Sequence, residues 1–372
     1  MTAIPLSVLD LSPVSQGSTP ADALRNSVRL AQHAENLGYK RFWLAEHHFV
    51  AVASSSTPTA IALVAAATDR IRVGAAAVQI GFHTPVSVVE AFGTIDALHP
   101  GRLDLGLGRS GQRRAEVTAA PSTPRSPAVT EDRFVDGVLV PRPFSATKQL
   151  GSPRMAAAAT ALLPPPAQQP DFAEAVDDVL ALLAGTFEVG GEHFSAVPGE
   201  HADVEVWVFG SSRGQSAEVA GRRGLPFVAS YHITPSTALD AVAAYREAFV
   251  PSETLAEPYV VVSADVVVAD DDATARELAS SFGPWVHSIR AGGGAVAYPD
   301  PAVTEPLSES RQSVVDDRVR TQFVGDAASV AERLRTLAAA TGADELVVTS
   351  VTHGFDDRLR SHELLAKEWG LA

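Results

Sequence analysis

Short runs of apolar, often β-branched residues alternate along this chain with longer stretches whose apolar positions recur every three to four residues. The first pattern reads as strands and the second as amphipathic helices. Ile4–Leu11 reads as a first strand. Ser18–Thr19–Pro20 then opens a helix to about Leu37, with proline where a first turn accepts it and Gly38 where the chain must leave it. Lys40–Ala45 is the second strand, with a helix over about 58–68; Ile71–Ile80 is the third, with a helix over 85–98; Leu103–Leu107 is the fourth. The rhythm breaks over residues 110–170, where Pro, Ser and Thr crowd and the Ala-rich Met155–Leu163 runs into Pro164–Pro165–Pro166. From Asp171 it resumes with a helix to about Leu183, strand Val204–Phe209, a helix over 215–223, strand Leu225–Ala229 and a helix over 236–249. Strand Tyr259–Val268 and a helix over 272–282 lead into a second irregular excursion, 283–321. A helix over 327–341, strand Glu345–Ser350 and a helix over 356–369 close the chain. Eight strand–helix units in strict alternation predict an α/β fold, a (β/α)8 TIM-type barrel over residues 1–372 as one domain, with long insertions after strands four and seven. An open doubly wound sheet is the alternative, because alternation does not reveal closure.

Composition narrows the class of partner. The 29 basic and 44 acidic side chains leave a net charge of −15, which disfavours nucleic acid and anionic membrane as partners. The nearest things to a basic patch are Arg113–Arg114 and Arg222–Arg223. With no cysteine, disulfides, thiolate catalysis and Cys-ligated metals are excluded. Charges or prolines interrupt every apolar stretch short of the roughly 18 residues a membrane span needs. Met1–Pro13 carries no basic segment followed by a long apolar one, so the expectation is a cytoplasmic protein without a signal peptide.

In a barrel the chemistry gathers at the C-terminal ends of the strands. After strand two stands Glu46–His47–His48–Phe49. Adjacent side chains diverge and His-Glu-x-x-His is absent, so no metal is expected there. One histidine as general acid/base or substrate hydrogen-bonder, or a histidine that merely structures the loop, are both open. After strand four, Gly106–Leu107–Gly108–Arg109–Ser110–Gly111 fits a dinucleotide glycine pattern but lacks the helix that should receive the pyrophosphate. What survives is a backbone a ligand can approach, and an arginine suited to phosphate. After strand five, Gly210–Ser211–Ser212–Arg213–Gly214–Gln215–Ser216 runs into a helix, a ready anion site or an ordinary serine cap. Strand three carries the small residues Gly74–Ala75–Ala76–Ala77, against which a flat ring or simply bulky neighbours could pack. His83 follows that strand, and Ser230–Tyr231–His232 follows strand six.

Taken in order, these blocks resemble the bacterial luciferase-like, flavin-dependent monooxygenases. The matching residues are Phe42–Phe49, Arg70–Val78, His83–Val86, Leu98–Arg109 and Gly224–Pro226. The likeness is strong over 4–110, moderate over 200–270 and silent across the two excursions. It implies a two-component monooxygenase. Reduced FMN from a separate NAD(P)H-dependent flavin reductase would bind at the strand C-termini, form a C4a-peroxyflavin with O2 and oxygenate a small organic substrate. It implies further that His47 is the catalytic histidine and that Glu46, Ala76, Ala77, Arg109, Ser211, Ser212 and Ser216 hold the cofactor. Ala76–Ala77 matches a non-proline cis peptide beneath the flavin ring, and the arginine and serines match a phosphate clamp.

His48, Gly108, Tyr231 and His232 are the candidate substrate-pocket residues. Gly108 stands where luciferases carry a reactive cysteine, which argues against light emission, and Tyr231 stands near a luciferase tryptophan. The excursion 283–321 would act as a lid, and a homodimer is implied, with helix faces near 58–68 and 86–98 as surfaces for it. A related branch uses the deazaflavin F420 for hydride transfer, for which Arg113 and Arg114 would suit the acidic tail. A non-catalytic flavin-binding paralogue is a further alternative, and a metal hydrolase at His47/His48 a remoter one.

Overall fold

The computed structural model describes residues 4–109, 131–163 and 171–371, so Ser110, Arg113 and Arg114 lie outside the described residues. Eight parallel strands form the centre: β1 Leu6–Asp10, β2 Arg41–Leu44, β3 Arg72–Gln79, β4 Leu103–Gly108, β5 Val204–Gly210, β6 Phe227–Ala229, β7 Val260–Ala269 and β8 Glu345–Thr349. Each pairs with the next in sequence, and β8 returns to β1 through Leu6↔Leu346. The sheet is therefore a closed barrel, and the open doubly wound alternative falls.

Period-two alternation splits every strand between two cores. On β7, Val260, Val262, Ala264, Val266 and Val268 join the shell beneath the outer helices, whereas Val261 packs inside with Leu9, Trp43, Trp207, Val228 and Val347. Below these aromatics the interior ends in charge. Arg41 Nη1 lies 2.9 Å from Asp104, Trp43 donates to Asp104 at 2.8 Å, and Arg41 also reaches the buried Glu345. Charges this deep persist because they are mutually paired and hydrogen-bonded. The N-terminal end of the barrel is thus plugged, and the C-terminal mouth is left for a ligand.

The described residues of both insertions form regular elements. The first contains a hairpin, Arg133–Val135 with Val138–Val140, and helices Thr147–Leu150 and Pro153–Leu162. In the second, the helix expected to reach 282 stops at Ala279. A new helix runs Phe282–Ser288, and after a wide turn another runs Glu309–Arg320. A strand missed from sequence, Phe323–Asp326, pairs with the outer half of β7. Glu309–Arg320 buries Val315 fully and sets Val314 and Val319 partly against the same core, but its other positions are polar, too faint an apolar stripe to read as a helix. Ion pairs add to its hold: Arg290–Asp317, Arg318–Asp265 and Arg320–Asp132. Phe282, Trp285, Tyr298 and Val315 form a separate core with Val52 and Val351, which lie in the loops after β2 and β8. The second insertion therefore sits over the barrel mouth.

Candidate active site

The loop leaving β2 is built around one carboxylate. Glu46 is buried, and its Oε1 lies 2.8 Å from His48 Nε2 and 2.9 Å from His83 Nε2. Gln79 closes the other side, its backbone N–H donating to Glu46 Oε2 at 3.1 Å and its side chain to the Glu46 carbonyl at 2.7 Å. Burial opposes the charge on Glu46, but hydrogen bonds from His83 and His48 prevail and hold its pKa below the usual value. His83 is raised in turn by its bond to Glu46. His48 is thus engaged with Glu46 and packs edge-on to Phe82. With its two neighbours committed, His47 stands apart. Its Nδ1 is buried without a hydrogen-bond partner among the described residues. Burial lowers its pKa, the Glu46 charge opposes this and His48 adds to it, so the ring is neutral at pH 7.

Beside His47 lies a shelf of small side chains. Ala76 and Ala77 on β3 are half-buried, the peptide bond between them is cis, and Ala76 packs on the aromatic core within the barrel. Gly108 at the end of β4 adjoins them; a Cβ there would come within 3.3 Å of the Ala77 Cβ. A side chain at Gly108 would thus crowd Ala77.

Beside the shelf, past β4 and β5, is a cluster centred on Arg109. Arg109, just past β4, donates from Nε to Ser216 Oγ at 3.1 Å and from Nη1 to Gln215 Oε1 at 2.9 Å. Ser216 and Gln215 are in the first turn of the helix Gln215–Arg222, whose free N–H groups favour an anion. The Ser211 carbonyl accepts from Thr234 Oγ1 at 3.0 Å and from Thr237, which fixes the loop, and Ser212 is half-buried between them. Arg213, expected in the anion site, turns outward and grips Glu247 at 2.6 Å.

The far wall contains residues that sequence reading largely missed. Ser263 and Asp265 fall on the inward side of β7, in phase with Val261. His232, past β6, is buried, with Nδ1 against the Ser263 hydroxyl. Burial, then the positive charge of Arg318 and the neighbouring His47, push its pKa down to about 3. β2 and β6 are four places apart in the ring, so this influence of His47 on His232 operates across the mouth. Arg318 enters from the second insertion and meets Asp265 at 3.1 Å. No local motif marks Arg318 or Asp265; an arginine in a polar helix and an aspartate within a valine run become a pair only in the folded chain.

Tyr231 corrects an expectation. It faces the outer shell, packs beside Phe323 and donates to the Leu139 carbonyl at 2.7 Å, so it anchors the hairpin of the first insertion rather than lining the mouth. Both residues sit in the turn that follows β6, closed by the Thr234 N–H on the Ser230 carbonyl at 3.0 Å, and there Tyr231 meets the hairpin while His232 meets Ser263 of β7.

The model of the luciferase-like monooxygenase family matches residues 4–134 and 150–345, and the chain belongs to that family. The Bacillus subtilis (strain 168) uncharacterized protein YvbT is 34% identical over 98% of this chain and 96% of its own. A luciferase-like monooxygenase of Escherichia coli K12 is 32% identical over 97% and 96%. Among solved structures, apo-MsnO8 superposes with a TM-score of 0.79 at 29% identity, covering 100% of this chain and 99% of its own. The fold alone is shared at TM-scores of 0.64 and 0.58 with two others. One is the oxygenating constituent of Pseudomonas putida 3,6-diketocamphane monooxygenase in complex with FMN, at 18% identity over 98% of this chain and 97% of that one. The other is the F420-dependent tetrahydromethanopterin reductase of Methanopyrus kandleri, at 15% over 98% of each.

Proposed function

We propose that this protein is the oxygenating component of a two-component monooxygenase, taking reduced FMN from a separate NAD(P)H-dependent reductase and oxygenating a small organic substrate with O2. The observation that carries this reading is the Arg109–Ser216–Gln215 clamp, set at a helix N-terminus across a shelf of small residues from the unpartnered His47. These residues fit a flavin mononucleotide. Arg109, Ser216 and the Ser211–Ser212 loop would hold the phosphate, Ala76, Ala77 and Gly108 the ring, and Glu46 would keep the His47 loop in place. When bound, the reduced flavin supplies the electrons and the oxygen chemistry. The chain's part is to orient the ring, shed water from the mouth and handle protons at His47. A neutral imidazole at that position is poised to accept or pass on a proton. The second insertion covers the mouth and would limit water entry.

Anaerobic titration with reduced FMN and, separately, reduced F420, each followed by an oxygen pulse under stopped flow, tests the reading. The expected result is saturable binding of reduced FMN and reoxidation slower than that of free flavin. Binding of F420 alone would transfer the assignment to deazaflavin hydride transfer. Binding of FMN with no substrate oxygenated, even with a reductase present, would point to a non-catalytic flavin-binding protein.

A further inference from the structure

The clamp occupies the β4–β5 side of the mouth, and the β7 side carries a second built polar site. Arg318 has a side chain only 11% exposed, donates from Nη2 to the inward-facing Asp265 and lies 5.5 Å over the Phe282 ring. Guanidinium donors lie in the plane of the group. Phe282 therefore covers one face without satisfying any of them, and the buried Nε–H has no partner among the described residues. Tyr298, fully buried and within Coulomb reach of Asp265, also has an unpartnered hydroxyl. His232 completes the wall. Its Nδ1 lies against the Ser263 hydroxyl, which also reaches the Ala229 carbonyl at 3.3 Å. A buried charged donor left unsatisfied is costly and rare in native proteins.

We propose that Arg318 is a substrate-specificity residue, its Nε–H edge receiving a carbonyl or carboxylate oxygen of the organic substrate on the β7 side of the mouth, two strands round from the cofactor clamp. The proposal rests on the monooxygenase reading for what the substrate becomes, but not for how it binds. The insertion thus contributes recognition as well as cover. An arginine reaching the barrel interior from an added helix lets the substrate's polar group be selected independently of the flavin.

The test is calorimetric titration of the reduced-FMN-loaded protein with benzoate, acetophenone and ethylbenzene. The first two carry an oxygen acceptor, charged and neutral respectively, and the third carries none. The wild type should bind at least one acceptor probe ten times or more tighter than ethylbenzene, and comparing benzoate with acetophenone tells an anion from a neutral carbonyl. R318M should lose that preference. R318K, which keeps a cation for Asp265 but lacks the Nε–H, should lose most of it while remaining folded by circular dichroism. Reduced-FMN affinity, measured separately, should be unchanged in both variants. No acceptor preference in the wild type, or its full retention in R318K, overturns the proposal. Failure of the wild type to bind reduced FMN would instead overturn the cofactor reading, and the same probe series on the unloaded protein would then decide the Arg318 site by the same criteria.

Discussion

His47 owes its availability to what surrounds it: Glu46 is saturated by His48, His83 and Gln79, and burial keeps the His47 ring neutral. Replacing it with glutamine should preserve reduced-FMN binding and slow oxygenation by roughly 10²–10⁴-fold, the usual range for a lost general acid or base. Undiminished single-turnover oxygenation in H47Q would remove it from the mechanism. Arg109 makes the complementary case. Its charge-assisted hydrogen bonds to an anion contribute about 1.5–3 kcal/mol, so R109M should weaken reduced-FMN binding roughly 10- to 100-fold. Riboflavin, which lacks the phosphate, should bind the wild type and R109M alike. Equal FMN affinity in both proteins would show that the clamp serves the fold alone.

The β2 loop and the segment after β3 act as one element because a single carboxylate ties them together. Their pH dependence follows from the shifts. His83 is raised above its ordinary 6.5, so its contribution is complete below that value and is lost as pH climbs through the higher folded pKa. Glu46 is depressed below its ordinary 4.5, so its contribution is complete above that value and is lost as pH falls through the lower folded pKa. Urea unfolding of the wild type should therefore show a loss of stability above pH 6.5 that H83Q lacks. Identical pH profiles for the two proteins would contradict the assignment.

The hairpin of the first insertion depends on Tyr231 in a similar way. Y231F leaves the Leu139 carbonyl without its donor and should cost about 1–2 kcal/mol of stability, with reduced-FMN affinity unchanged. A large loss of FMN affinity in Y231F would return that residue to the mouth.

At the scale of the molecule, the acidic surface and the exposed apolar positions concern assembly. Among the described residues no helix is long and apolar enough to cross a membrane. On helices Thr57–Ala66 and Pro85–Asp96 and just beyond, Leu63 is 56% exposed, Val86 37% and Leu98 75%. Leucines this exposed on adjoining helices favour a second copy of the chain as the partner. Light scattering should give a dimer for the wild type and a monomer for L63E/L98E with unaltered circular dichroism. A monomeric wild type would reject this surface.

The strand–helix alternation, the Glu46–His47–His48 loop, the small residues of β3 and the Arg109 and Ser216 positions were all legible in the sequence. Each depends on local spacing: the pleat, the helical turn, or a cap next to its strand. Barrel closure was not legible, because it requires β8 to return to β1 through pairs such as Leu6↔Leu346, and nothing local marks that contact. The folding of the second insertion escaped for the same reason, since beyond three valines its Glu309–Arg320 helix is held by distant partners, Arg290, Asp265 and Asp132. Tyr231 and His232 show the division at its sharpest. Two adjacent pocket candidates were parted by the turn after β6, one to the outer shell and one to the mouth. Local periodicity determined which elements exist and where reactive residues follow them. Only the closed barrel decided which of those residues face one another, because the partners lie far apart in the chain and meet only when the ring is complete.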